Sequence, residues 1–239
     1  MLEGHHIVFG ASSGIGEAIA LRLLERACVV SVVARRADRL EGLVAAGAAS
    51  FVADVSDFEQ MKEAVEAAVA QNGLAGAFVY CAGMQLIKPV RMTRPEEVRQ
   101  LVEVNLTAPL LLAGLFASKK ITSTGAVFCA VSSIAATRAE AGIVAYSASK
   151  AGLDGLVRGL AREVGPRRVV GVAPGWLDTE MTQRYGHLYG DKFREELART
   201  SPAGPASIAN VVDCVEFLLS PAASAITGEI IRVDGGAAA

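Results

Sequence analysis

Three residues whose types and spacing carry chemistry stand in the middle of the chain: Ser133, Tyr146 and Lys150. Tyr146 and Lys150 are four residues apart, which on a helix puts them on one face, one turn from each other. A phenol with an unperturbed pKa of about 10 is a poor acid or base at neutral pH; a neighbouring ammonium stabilises the phenolate and lowers that pKa. Ser133 follows the apolar run Ala126 to Val131, where its hydroxyl can hold a carbonyl oxygen beside the phenol. A second group, Gly10-Ala-Ser-Ser-Gly14-Ile-Gly16, follows an apolar run and opens a helical segment. Such a turn lets backbone N–H groups approach a pyrophosphate at the positive end of a helix; without other support it reads equally as a tight strand-to-helix turn. The next apolar run, CVVSVVA, ends about twenty residues past the glycines, where dinucleotide-binding folds place an acid that holds the ribose 2′-hydroxyl. Ala34, Arg35 and Arg36 stand there instead. Two guanidiniums and no carboxylate suit a 2′-phosphate, which favours NADP over NAD.

These groups need a scaffold. Short Val-rich runs at 6–10, 28–34, 50–53, 76–81, 125–131, 168–173 and 229–233 alternate with helical periods near 15–26, 37–46, 57–72, 95–119, 144–164 and 207–219. That rhythm predicts one doubly wound α/β domain over residues 1–239, a parallel seven-stranded sheet with helices on both faces. The segment 177–205 breaks the rhythm and reads as a lid on the substrate side. With 52 % hydrophobic but only 5 % aromatic residues, the core is expected to be mostly Ala, Val, Leu and Ile packed around glycines.

A net charge of −2 with acidic and basic residues interspersed offers no nucleic-acid face. The longest uncharged stretch, Ile121 to Thr137, is too polar for a membrane span, and the N-terminal residues carry no export signal. A cytoplasmic protein is expected. Cys28, Cys81, Cys129 and Cys214 show no CxxC pair and no metal-ligand spacing, so they read as packed thiols and no metal is expected. His5 and His6, ahead of the first strand, are expected to be exposed. His187, near Trp176, Tyr185 and Tyr189, either touches substrate or lies on a surface helix. Ala148, Gly152, Gly155 and Gly159 form a small-residue stripe that either admits a partner helix or packs on the chain's own sheet.

Taken together these residues resemble the short-chain dehydrogenase/reductase family over nearly the whole chain. Gly10, Gly14 and Gly16 match its cofactor glycines, and Ser133, Tyr146 and Lys150 its catalytic Ser, Tyr and Lys. Asn105 in EVNLTAP matches the fourth catalytic member. Asp54 in ADVSD matches the acid beside the adenine ring, Pro174-Gly175 and Thr179 match the PGxxxT loop on the nicotinamide side, and ITGEIIRVDGG looks like the last strand. Arg35 falls where the family's NADP preference is carried.

The cofactor contacts so implied are Gly10, Ser12, Ser13, Gly14, Ile15, Gly16, Arg35, Arg36, Asp54, Val55, Cys81, Ala82, Gly83, Tyr146, Lys150, Pro174, Gly175, Leu177 and Thr179. Gln85, Ser133, Ile134, Ile143, Trp176 and Tyr185 are the expected substrate wall. The implied activity is NADP(H)-dependent reduction of a ketone or 3-oxoacyl group in a small-molecule carbonyl or acyl thioester. Tyr146 would be the acid, Lys150 its tuner and ribose holder, Ser133 the holder of the carbonyl oxygen, and Asn105 the holder of a relay water. An NAD-dependent sugar, steroid or polyol dehydrogenase and a non-catalytic NADP-binding protein stand as alternatives. The family commonly forms tetramers, so a homotetramer, or a homodimer, is expected.

The closest likeness within the family is to 3-oxoacyl-carrier-protein reductases and related carbonyl reductases. Ser123-Thr124-Gly125 lacks the basic residue such reductases often use to dock an acidic carrier, leaving Arg167 and Arg168 as candidates. Four other departures stand out: Phe9 for Thr, Tyr80-Cys81 for Asn-Asn, Val170 for Asn, and Ser13 where many NADP-preferring members have a basic residue.

Overall fold

Valine-rich runs buried on both faces pair in parallel only if each returns through a crossover, and helices supply it here. The structure, a computed structural model, describes residues 4–186 and 190–239. The strands are β1 (His5–Phe9), β2 (Val29–Ala34), β3 (Ala49–Val52), β4 (Ala75–Tyr80), β5 (Thr122–Val131), β6 (Arg168–Pro174) and β7 (Ile230–Val233). They form one sheet in the order β3-β2-β1-β4-β5-β6-β7, every pair parallel. The helices are α1 (Gly14–Glu25), α2 (Glu41–Ala45), α3 (Phe58–Asn72), α4 (Pro95–Val102), α5 (Ala108–Ala117), α6 (Val144–Glu163), α7 (Glu180–Gln183), α8 (Asp191–Thr200) and α9 (Ile208–Leu219).

Two cores sandwich the sheet. On one face Ile19 and Leu23 of α1, Leu43 of α2, and Val211, Val215 and Leu218 of α9 cover Val8, Val32, Val79 and Val172. On the other, Met61 and Val65 of α3, Leu112 and Phe116 of α5, and Leu153 and Val157 of α6 cover Ile7, Phe9, Phe78 and Phe128. The first core is aliphatic as composition suggested. The second is laced with aromatics: Phe9, Phe78, Phe116 and Phe128 meet at centroid distances of 5.4–6.5 Å, which accounts for Phe9 standing in place of Thr. The run Pro95–Ala117 is by length and composition apolar enough to cross a membrane. In this fold Leu101, Ala108, Leu112 and Phe116 bury its inner side.

The helix expected over 95–119 is broken by a π-helical turn, Glu103–Thr107, between α4 and α5. β5 begins at Thr122, earlier than the turn-like Thr-Ser-Thr-Gly suggested, because Thr122 is buried beside Ala75 of β4. His5 and His6 are not exposed. They are part of β1 and each is only 3 % accessible. His5 donates from Nδ1 to Gly73 O (2.8 Å), and its Nε2 accepts from the Ser31 hydroxyl (2.7 Å). Arg167 and Arg168 are likewise unavailable for a carrier: Arg167 is buried, its Nε on Thr122 Oγ1 at 2.7 Å, and Arg168 donates to the Ile226 and Ser220 carbonyls. Arg168 begins β6 and Arg167 immediately precedes it, at the end of the strand away from Pro174. His187 and Tyr189 lie outside the described residues.

The chain winds outward from β1 in one direction and from β4 in the other, so the crossovers diverge between these two strands. Parallel sheets open a crevice at the carboxyl ends of such a pair. Those ends are Phe9 and Tyr80, which carry Gly10 and Cys81 into it, Cys81 N donating to Phe9 O at 2.9 Å.

Candidate active site

The crevice is a cavity of about 710 Å³, within the range of roughly 300–1,000 Å³ usual for ligand sites. Of the residues expected at the site, all but Asn105 line it, from Gly10 and Arg35 at one end to Trp176 and Tyr185 at the other.

The glycine turn is built for close approach. Gly10 has φ +79°, and a Cβ there would come within 2.5 Å of Ala82 N; one at Gly16 would collide with the Gly10 carbonyl oxygen. Only glycine lets β1, the β4 loop and the start of α1 meet this tightly. Beside the turn, Arg35 reaches Asp54 Oδ2 at 3.5 Å, with Asp54 held by the Ser56 N–H and hydroxyl. Arg36 is differently placed: it donates to Ser12 Oγ and Ser13 Oγ, 3.1 Å each, and to both oxygens of Glu180.

In the middle of the cavity Tyr146 and Lys150 project from one face of α6. Lys150 is 4 % accessible, donates to Val131 O at 2.9 Å, and lies 5.9 Å from the centroid of the Tyr146 ring. Burial pulls its pKa from the ordinary value down to about 8. Ser133 stands two residues past the end of β5 and caps the short turn Ile134–Ala136, its Oγ accepting from Ala135 N at 3.2 Å. Its neighbour Ser132 donates a 2.5 Å hydrogen bond to Asp154, one turn beyond Lys150 on α6 and buried. Burial raises the Asp154 pKa, opposed by the Ser132 bond and the charges of Arg158 and Lys150.

Asn105 sits behind the cavity wall in the π-helical turn, fully buried. Its Oδ1 accepts from Met84 N (2.9 Å), and its amide donates to Met84 O (2.9 Å) and Ser149 Oγ (3.0 Å). The Tyr80 hydroxyl donates to Val104 O in the same turn at 2.6 Å. Tyr80, a departure from the family's pattern, thus braces the loop Cys81-Ala82-Gly83 from below while Asn105 braces it from behind. Both amide hydrogens of Asn105 are engaged, so its side chain acts on protein atoms.

Towards the other end Trp176 meets Phe193 of α8 edge to face, centroids 5.5 Å apart. Met181, Leu197, Ile134 and Ile143 line the same cavity and add apolar surface, with Glu196, Thr200 and Arg138 among its polar lining. Gln85 Oε1 is buried there with no hydrogen-bond partner among the described residues, while the Gln85 carbonyl accepts from the Tyr185 hydroxyl at 3.2 Å. Sequence reasoning missed Ser132, Asp154, Glu180, Phe193 and Leu197. The i, i+4 pair Phe193/Leu197 was the one readable signal among them.

A nicotinamide dinucleotide fits these residues: a glycine cradle a Cβ would fill, an acid at Asp54, guanidiniums at the β2 exit, and a buried ammonium beyond them. The comparisons agree. Residues 10–238 match the family model described as enoyl-(acyl carrier protein) reductase. The chain is 32 % identical over 237 residues to carbonyl reductase family member 4 of Danio rerio, covering 96 % of each. Among solved structures it superposes on an actinorhodin polyketide ketoreductase with NADPH (TM-score 0.89, 26 % identity, 99 % of this chain and 97 % of that one). It also superposes on a 3-ketoacyl-(acyl-carrier-protein) reductase from Brucella melitensis complexed with NADH (TM-score 0.88, 26 % identity, all of both chains).

Proposed function

Because the chain belongs to the short-chain dehydrogenase/reductase family and is an oxidoreductase of it, we propose that it reduces a ketone or 3-oxoacyl group with NADPH. The observation that carries this reading is the pairing of Tyr146 with the buried Lys150 in a cavity whose other end has Ala34, Arg35 and Arg36 in place of a ribose-binding acid.

Gly10, Gly14 and Gly16 hold the pyrophosphate, Asp54 the adenine side, Arg35 and Arg36 the 2′-phosphate, and Lys150 the nicotinamide ribose. When bound, the cofactor supplies the hydride. Ser133 holds the carbonyl oxygen, and Tyr146 gives that oxygen its proton as the secondary alcohol forms. Lys150 keeps the phenol acidic enough to do so near neutral pH. Asn105 positions Met84 and Ser149, and with them the loop after β4; a relay water at this turn is held by backbone or by the remaining lone pair of Oδ1. Trp176, Phe193, Met181 and Leu197 favour an apolar chain next to the carbonyl, and the buried Gln85 oxygen accepts a donor from the substrate. The segment 177–205 acts as the lid.

The protein works in the cytoplasm as a homotetramer. Leu110 and Leu111 of α5 are 57 % and 41 % exposed, and nothing stands within 4 Å of a Cβ built at Gly155 or Gly159 of α6. Gly152 instead packs on its own chain, a Cβ there meeting Leu106 Cδ2 at 2.8 Å. Light scattering at micromolar concentration checks the assembly, and a monomer refutes it.

The test of activity is kcat/KM with NADPH and with NADH across 3-oxoacyl thioesters, quinones, ketoses and steroid ketones. NADPH is expected to win, and Ala34→Asp with Arg35→Ser to narrow or invert the ratio. Equal values in the parent protein would remove the NADPH assignment.

A further inference from the structure

Of the two arginines at the β2 exit, the one following the strand directly is the looser. Arg35 is 68 % exposed along its side chain, and its nearest anion is Asp54 at 3.5 Å. Arg36 is locked in: one Nη sits 3.1 Å from both Ser12 Oγ and Ser13 Oγ, and the guanidinium meets Glu180 at 2.9 and 3.2 Å. The charge that Ser13 does not supply to the glycine turn is delivered there by Arg36, from a position 23 residues later in the chain.

That guanidinium already has an occupant. Glu180 is the first residue of α7, directly after Thr179, and four residues past Trp176. A 2′-phosphate seeks the same planar, bidentate face of Arg36. Two anions on one guanidinium repel, so the phosphate gains Arg36 only as Glu180 gives it up. The displaced carboxylate has a second cation to hand, Arg184 Nη2 at 3.5 Å one turn along.

We infer that Arg36 is the residue that discriminates for the 2′-phosphate and that Glu180 is its competing counter-ion, so that arrival of the phosphate shifts the run from Trp176 to Gln183 beside the substrate. This rests on the assignment of a phosphorylated dinucleotide to the cavity. Exchange of Glu180 for phosphate changes contacts at the adenosine end and, through the continuous backbone between Glu180 and Trp176, at the substrate end. Cofactor choice and substrate-wall geometry are then one equilibrium, since a ligand that binds one arrangement better shifts the population towards it.

The experiment uses nucleotides with no nicotinamide. Adenosine 2′,5′-bisphosphate and adenosine 5′-monophosphate are titrated by calorimetry into the full chain, while emission is read from Trp176, the chain's single tryptophan. The bisphosphate is expected to bind at least about tenfold tighter, a difference of about 1.4 kcal/mol, and to change the emission, the monophosphate to leave it unchanged. Arg36→Met should bring the two affinities close together, with Arg35→Met the weaker lesion. Glu180→Gln, which removes the competitor, should tighten the bisphosphate by about three- to tenfold, leave the monophosphate alone and shrink the emission change. An unchanged or lower bisphosphate preference in Glu180→Gln overturns the inference even if the parent prefers the bisphosphate. A parent with no preference that acquires one in Glu180→Gln overturns the NADPH assignment and upholds the competition.

Discussion

At the amino end of the sheet, His5, Ser31 and Asn72 form a closed circuit. Asn72 donates to Ser31 Oγ at 3.0 Å, Ser31 to His5 Nε2, and His5 Nδ1 to the Gly73 carbonyl. At the carboxyl end, about 17 Å away along a strand of five residues, Lys150 has a carbonyl, an aromatic ring and, through space, the charge of Asp154. Burial disfavours charge at both ends. It pushes the His5 pKa down and takes His6 to about 4, so both imidazoles are neutral at pH 7 with their partners arranged for the neutral form. It takes Lys150 to about 8, leaving the ammonium charged near neutrality but with little to spare. Desolvation becomes chemistry only where the group is left poised between its two protonation states and opens onto a cavity. Where every atom is paired, the same desolvation yields a structural joint.

The sharpest way to break this contrast is at the carboxyl end. Tyr146→Phe removes one hydroxyl and should cost about 10²–10⁴ in kcat, with NADPH affinity little changed, as kinetics and fluorescence titration on the folded variant would show. A variant keeping more than about a tenth of parental activity would remove Tyr146 as the acid. Lys150→Ala should slow turnover by a comparable factor of about 10²–10³ and also weaken NADPH binding, the result expected if, as proposed, its ammonium serves both the phenol and the ribose.

Asp154→Asn is subtler. It keeps an acceptor for Ser132 but deletes a buried negative charge that favours the Lys150 ammonium, so an alkaline limb of kcat/KM for reduction, expected near pH 8 from Lys150, should move to lower pH. At pH 7 the loss should be about three- to tenfold, and Asp154→Glu should restore the limb. A change in rate with no movement of the limb would make Asp154 a packing residue only.

At the amino end the prediction concerns stability. The folded pKa of His6 lies at about 4, below its unfolded value of 6.5. The unfolded chain therefore binds the proton first, and stability falls as pH drops from 6.5 towards 4. The loss is on the order of 3 kcal/mol from His6, with His5 adding in the same direction. Urea midpoints measured across that window should fall. His6→Phe should flatten the fall while leaving kcat at pH 7 within about twofold, because nothing at this end reaches the cavity.

The alternation of strands and helices was legible because periods of 2 and 3.6 are properties of neighbouring residues, and Gly10, Tyr146 and Lys150 were legible because their spacing is local. What escaped was non-local or lacked a period. The burial of His5 and His6 depends on Ser31 and Gly73 arriving from other segments, and the tie between Arg36 and Glu180 spans 144 positions. Asp154 reads as an ordinary polar residue of a helix until β5 places Ser132 beside it. Arg167 looked available because nothing in its own stretch announces Thr122.

The π-helical turn keeps a phase. An α-helix advances about 100° per residue, and the wider turn at Glu103–Thr107 absorbs one extra residue without spending that angle on α5. Leu112 and Phe116 thus stay turned to the core while Asn105 meets Met84. Deleting one residue there would close the turn to an ordinary helix with Leu112 still towards the sheet. The loss would fall on Asn105 and its hold on Met84, so the same span would go on filling the core and cease to brace the site.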